Sequence, residues 1–467
     1  MSLKPFAPIK LAIAIAASGL MSPLMSNAES LAEIYDLALK NDAQYKVAQA
    51  NLEVGRLSKD ISRAGLLPQI AASGSYNQSD ASGNSVRNEG TPTNPNYQTV
   101  DFDNSTNRTT LAAELNQPLF NAAAWYEYKR GKKSANLSEI AFNIEEQDLI
   151  LRTAEAYFDS LKAVDDLETA KAEEEALSHS LEQTKQRFEV GLTAITEVHE
   201  AQAEFDSATA NRLISEGALV IAFEALQVLT GTPHKSVAPL KNNFPVTPPA
   251  PANRSEWVTM AKEANLELLS AKQRSEIAES SYKIARSGHL PTVSARLGYS
   301  DTTDDGDLPS DAGDSTGTSA TVTLSLPLFT GGRTSAQRQQ AANEKIAAQE
   351  TVNQTERSVV QTARSLHQRV NTGVATVHAR QQAIISNESA LEATKAGYDV
   401  GTRNLVNVLD AQRRVYEAKR NFLIALYDYV LTGLRLKQAA GTLSREDIIQ
   451  LDKWLNKEQL VGLAAEK

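Results

Sequence analysis

Two short stretches of strict alternation interrupt a chain that otherwise repeats at helical spacing. In TVTLSLP, Val322, Leu324 and Leu326 fall on one side and Thr321, Thr323 and Ser325 on the other; in PTVSARLGY, Val293, Ala295, Leu297 and Tyr299 oppose Thr292, Ser294 and Arg296. A period of two predicts strands with one apolar and one polar face. A weaker pair places Ile70, Ala72 and Tyr76 on one strand and Leu111, Ala113 and Leu115 on another. Strands are therefore expected at about 68–78, 108–118, 291–301 and 316–327. After each pair comes a long polar stretch without proline, about 122–188 and 333–397, rich in the helix formers Ala, Gln, Glu and Lys. At 1.5 Å per residue such helices span about 100 Å, longer than any single globular core. Each ends in a Val-Gly turn, at Gly191 and Gly401, and a second helix returns from it. In the later one Leu405, Val408, Gln412, Val415, Phe422, Leu426 and Val430 recur mostly every three or four residues, the pattern of a helix seam.

The same order of elements occurs twice. RAGLLPQI (63–70) aligns with RSGHLPTV (286–293) at an offset of 223, LNQPLF (115–120) with LSLPLF (324–329) at 209, and FEVGLTAITEVHEAQAEFDSAT (188–209) with YDVGTRNLVNVLDAQRRVYEAK (398–419) at 210. The drop in offset puts a longer loop in the first copy, within 77–108, where a length change is best tolerated. The chain divides into a first repeat at 29–238, a Pro-rich linker at 239–252 (PLKNNFPVTPPAPA), a second repeat at 253–445 and a C-terminal segment at 446–467. Each repeat opens with a helix, about 30–63 and 254–287, stopped by Gly and then Pro.

Among the 467 residues there is no Cys, which excludes disulfides, thiolate metal sites and cysteine nucleophiles. Lys4 and Lys10 precede an apolar run from Leu11 to Met25, and Ser26-Asn27-Ala28 suits cleavage, so residues 1–28 read as a bacterial signal peptide. Removing them takes away two lysines and no acid, leaving 45 basic against 57 acidic residues, a balance that argues against nucleic acid as a partner. No apolar run of transmembrane length is read after residue 28, so entry into a membrane is expected only as a barrel. Four isolated strands cannot close, and closure needs several copies around a water-filled lumen. The alternative is a soluble periplasmic coiled-coil scaffold or adaptor whose strands form an ordinary buried sheet.

AGYDVGTRNLVNVLDAQ (396–412), the LPLF that ends the last strand, and the Gly-Thr at 441–442 resemble the TolC family of trimeric outer-membrane channel-tunnels, a similarity covering essentially 29–445. The resemblance implies a mixed fold, a membrane β-barrel continued by an α-helical coiled-coil tunnel, in which three copies contribute four strands each to twelve. It also implies passive export of drugs or secreted proteins from the outer membrane. An inner-membrane pump of RND, ABC or MFS type and a periplasmic adaptor supply the energy, and outer-membrane lipid surrounds the barrel.

The hairpin tips then form the periplasmic entrance, and the resemblance implies a closing network of Tyr398 and Arg403 with Glu197. An Arg fork and a phenolic hydroxyl can both reach a carboxylate on a neighbouring helix. One close charge pair is worth roughly 4 kcal/mol before desolvation, but the same residues as solvated tip charges contribute only about 0–1 kcal/mol each. The family narrows its entrance with two acidic rings; the matching positions here are Asn407 and Asp410, so one acid is an amide and cation selectivity is expected to be weaker, with Asp399 and Glu200 nearby. DTTDDGDLPSDAGD (301–314) carries six Asp without calcium-loop spacing and reads as a solvated loop. No paired-His metal motif, phosphate-binding loop or nucleophile elbow is present; no cofactor or metal site is expected, and an enzyme is not expected.

Overall fold

A computed structural model describes residues 29–241, 243–306, 313–459 and 461–463. The signal-peptide reading of 1–28 lies outside them. In chain order the elements are α1 (Leu31–Asn41), α2 (Ala43–Ala64), β1 (Gln69–Asn88), β2 (Tyr97–Phe120), α3 (Ala122–Glu189), α4 (Ile195–Thr230), β3 (Ser236–Val237), α5 (Arg254–Ala264), α6 (Leu266–Ser287), β4 (Thr292–Gly306), β5 (Gly313–Ser325), α7 (Arg333–Asp399), α8 (Leu405–Ala439), α9 (Arg445–Asp452) and β6 (Val461–Gly462). The helix pair α1–α2, strand pair β1–β2 and hairpin α3–α4 recur as α5–α6, β4–β5 and α7–α8.

The four long strands form one antiparallel sheet in the order β1-β2-β4-β5. Its register carries the alternation across all four strands: Ile70 sits opposite Leu115, Leu115 opposite Leu297 and Leu297 opposite Ala320. The neighbouring row on this face is Ala72, Ala113, Tyr299 and Thr318. The other face carries two ion pairs, Arg296 with Glu114 at 2.7 Å and Arg108 with Asp304 at 2.5 Å, and Thr110 beside Thr302 at 3.3 Å. Both outer edges, β1 and β5, are open.

The strands extend further than the alternation indicates. The expected loop at 77–108 is mostly ladder, because β1 runs to Asn88 and β2 begins at Tyr97. The turn between them is held by Asn88, whose Oδ1 accepts from the backbone N–H groups of Gly90 and Asn96, each at 2.9 Å. Backbone pairing does not need an apolar face, so a two-strand ribbon continues where the side chains have turned polar. Likewise Asp301, Asp304 and Asp305, read as part of a loop, belong to β4, and only 307–312 of that segment lie outside the described residues.

The long helices α3 and α7 have 68 and 67 residues, about 100 Å each. Glycine and serine bring α2 and α3 together reciprocally: a Cβ at Gly55 would lie 2.0 Å from Ser138 Oγ, and one at Gly131 would lie 1.9 Å from Ser62 Oγ. The shorter helices end against the start of their own repeat. Asn265 caps α6 and also donates through Nδ2 to Ala439 O at the end of α8, at 3.0 Å, while Gly231 after α4 lies against Asn41. The largest core cluster surrounds this mid-height junction, with Leu31, Ile34, Tyr157, Phe158, Leu226 and Ile448 fully buried. The segment after 445 packs here too, through α9, the Trp454–Phe244 contact at 6.0 Å and the β6–β3 pairing.

Contrary to the sequence reading, one helix among the described residues, α4, is long and apolar enough to cross a membrane, and most of its apolar stretch is not buried. The reason is that α4 is apolar on two sides. Leu219, Phe223 and Leu226 join the core, while Ile214, Ile221 and Val228, spaced by seven, are 70%, 71% and 83% exposed. In α2, Val47, Val54 and Ile61 are exposed at the same spacing.

Candidate functional site

At the end of the molecule opposite the sheet, α3 and α7 close with matching geometry. Gly191 and Gly401 take φ of 78° and 77°, and each accepts this left-handed conformation with nothing within 4 Å of a Cβ position, so glycine serves the backbone angle and not a close contact. The N–H groups of Gly191 and Gly401 donate to Phe188 O and Tyr398 O at 2.9 and 3.0 Å, and those of Leu192 and Thr402 donate to Arg187 O and Gly397 O at 2.8 Å each. Asn404 then caps α8 by accepting from the Asn407 N–H at 3.0 Å, whereas Ala194 offers α4 no side-chain cap.

Glu197 and Tyr398, expected to meet, do: the Tyr398 hydroxyl donates to Glu197 Oε2 at 3.5 Å, and Thr193 Oγ1 donates to the same oxygen. Tyr398 packs against a small core of Leu177, Leu181, Ala201, Ala208, Leu405 and Leu409. Burial raises its pKa, with Glu197 adding to the rise against an opposing effect of Arg187, so the phenol remains a donor. Arg403 does not join Glu197 within the protomer, and among the described residues it has no ion pair. Its stem instead lies along Gly397, where a Cβ would stand 2.9 Å from Arg403 Cγ. The cation at the junction is Arg187, whose Cζ is 4.7 Å from the centre of the Tyr398 ring.

Asn407 and Asp410 share the partly exposed side of α8, while the intervening Val408 and Leu409 are buried. Asp410 is not a lone acid. Arg413, one turn on, binds its Oδ1 at 2.7 Å and also lies 3.9 Å from Glu417 and 4.0 Å from Glu204. Among the described residues no cluster of three or more His, Asp or Glu is placed to hold a metal ion.

Above the tips the two hairpins join along α3 and α8. Arg420 pairs with Asp166 at 3.4 Å, Arg435 with Glu155 at 2.7 Å, and Gln438 donates to Asp148 at 2.6 Å. The Tyr427 hydroxyl donates to Asp165. Burial, supplemented by the nearby Glu168 and Asp166 and opposed by the Tyr427 bond, pushes the Asp165 carboxyl up to about 6. Arg187, Thr193 and Arg413 were not singled out from the sequence. Repeat alignment was the available signal for two of them, since at offset 210 Arg187 faces Gly397 and Thr193 faces Arg403.

A family profile described as outer membrane efflux protein matches residues 34–232 and 257–442. The outer membrane protein TolC of Vibrio cholerae serotype O1 is 36% identical over 432 residues, covering 92% of this chain and 94% of that protein. The alkaline protease secretion protein AprF of Pseudomonas aeruginosa is 29% identical over 423 residues, covering 89% and 85%. Among solved structures, CusC, studied for folding and transmembrane channel formation, superposes with a TM-score of 0.74 at 17% identity, over 89% of this chain and 92% of that one.

Proposed function

The chain belongs to the outer membrane efflux protein family and is an outer-membrane channel with a periplasmic helical tunnel, and on that premise we propose that three copies close one twelve-stranded barrel and form a duct gated at the helix tips. The observation that carries this reading is the sheet: an apolar row from Ile70 to Ala320, the Arg296–Glu114 and Arg108–Asp304 ion pairs on the opposite face, and open edges at β1 and β5. An open edge in lipid leaves backbone groups unpaired, so β5 of one copy must meet β1 of the next. The exposed seven-residue stripes on α2 and α4 support the same contact lower down, as seams awaiting a neighbouring helix.

The duct is passive, carrying drugs or secreted proteins delivered by an inner-membrane pump of RND, ABC or MFS type through a periplasmic adaptor. The secretion protein among its relatives supports protein cargo as well as small molecules. At rest, Tyr398 and Glu197 tie the second hairpin to the first within a protomer, and Arg403, without an ion pair among the described residues of its own chain, reaches a neighbour. Asn407 and Asp410 face the narrowing, with Gly191 and Gly401 turning the chain at its rim. A soluble scaffold would leave the Ile70–Leu115–Leu297 row in water, and this is why the barrel is favoured.

Outer-membrane fractions provide the test. Recovery as a heat-modifiable trimer that conducts in planar bilayers is expected; a monomer soluble in the periplasm would refute the duct.

A further inference from the structure

The two tips share one backbone but place their arginine on opposite sides of the turn. In the second repeat Arg403 follows Gly401 by two residues and its stem fills the space beside Gly397. In the first, the residue facing Gly397 is Arg187, and the one facing Arg403 is the small Thr193. A Cβ at Gly397 would stand 2.9 Å from Arg403 Cγ, so a turn of this geometry accommodates a large side chain on one side only. The exchange frees Arg187 to leave its own hairpin. Its guanidinium carbon sits 4.7 Å from the Tyr398 ring centre, and its Nε is buried with no hydrogen-bond acceptor, so the ring face is the partner it has. Among the described residues no carboxylate forms an ion pair with it.

We propose that Arg187 is a positioning residue of the entrance: by stacking on Tyr398 it holds the ring on the first hairpin with the hydroxyl aimed at Glu197. Tyr398 is otherwise held there by a partly buried packing contact and one long hydrogen bond of 3.5 Å. A phenol held by a single long bond swings easily, and a cation over the ring face limits that motion without competing for the hydroxyl. The two arginines thereby divide the work, Arg187 inside the protomer and Arg403 outward. This inference rests on the reading of the tips as a gate.

Single-channel conductance of the full-length trimer in planar bilayers tests it, with trimer integrity checked by heat-modifiability. Arg187→Met keeps an unbranched stem and removes the charged head, and it is expected to shift the open-to-closed ratio about fivefold toward open, the size of a partly exposed cation–π contact. Arg187→Lys, which retains a cation, should stay near the parent value. In a Tyr398→Phe background, Arg187→Met should add less than it does alone, because both act on one ring. If Tyr398→Phe opens the channel while Arg187→Met leaves it unchanged, or if Lys and Met variants are equally open, the role of Arg187 is overturned and the gate stands. If neither residue alters conductance, the gate reading itself fails and takes this proposal with it.

Discussion

Tyr398 and Glu197 meet at 3.5 Å although 201 residues separate them, each from a different helical hairpin. One donor and one carboxylate therefore join the two repeats at the point where the tunnel is narrowest in the proposed trimer. Replacing Tyr398 with Phe removes the donor, and replacing Arg403 with Ser removes the outward cation. The double variant is expected to raise single-channel conductance severalfold, since each link is worth about 1 kcal/mol or less at a partly exposed site. Unchanged conductance in an intact trimer would retire this network.

Arg413 pairs with Asp410 at 2.7 Å and offsets much of the carboxylate, so in the proposed entrance the two would set the charge together. Arg413→Ala should expose three uncompensated acids in the trimer and increase cation preference and block by multivalent cations. Asp410→Ala should lower both. Reversal potentials in a salt gradient read the two changes, and movement in the same direction for both variants would place the filter elsewhere.

The α3–α8 seam should respond to pH through Asp165. Its carboxyl titrates at about 6 in the folded chain, against an ordinary value of 3.8, with burial as the leading cause. An acid whose folded value is raised binds more protons folded than unfolded between these limits, so unfolding free energy falls as pH rises from about 4 to 6 and then levels. The loss is at most about 2 kcal/mol once partial exposure is allowed for. Asp165→Asn keeps an acceptor for Tyr427, so it should raise thermal stability at pH 7 and flatten the profile across that window. Equal melting of parent and variant at pH 7 would show that the carboxylate costs nothing there.

Ile221, at the centre of the α4 stripe, is 71% exposed in the protomer. If a neighbouring copy covers it, Ile221→Asp buries an unpaired charge three times per assembly and should prevent trimer formation, while an isolated protomer tolerates the change. Size-exclusion chromatography with light scattering in detergent distinguishes these outcomes, and a normal trimer would place the seam on another face.

Periodicity in the sequence reveals what depends on side-chain pattern. The alternation at Val293–Tyr299 and the repeat offset at the Val-Gly turns locate the sheet, the hairpins and the tips, because burial and left-handed turns each demand particular residue types. It reveals less where the backbone carries the structure. Between Asn77 and Arg108 the ladder runs on through Asn, Ser and Asp, which have no apolar face to announce a strand. Arg187 was hidden for another reason: its partner lies on the other repeat, and a cation on a ring leaves no spacing signature within one helix. The second apolar stripe of α4 was equally hard to see, as two faces on one helix blur into a uniformly hydrophobic run.

The polar ribbon at the far end of the sheet has its own consequence. Among the described residues, β2 pairs with β4 from Thr106 onward, and on the other side of that residue β1 and β2 continue as a two-stranded ribbon for some ten residues to Asn88 and Tyr97, about 30 Å. With the helices in the periplasm, this ribbon points out of the cell. A foreign peptide placed at the turn would be carried to the cell surface on this two-stranded ribbon.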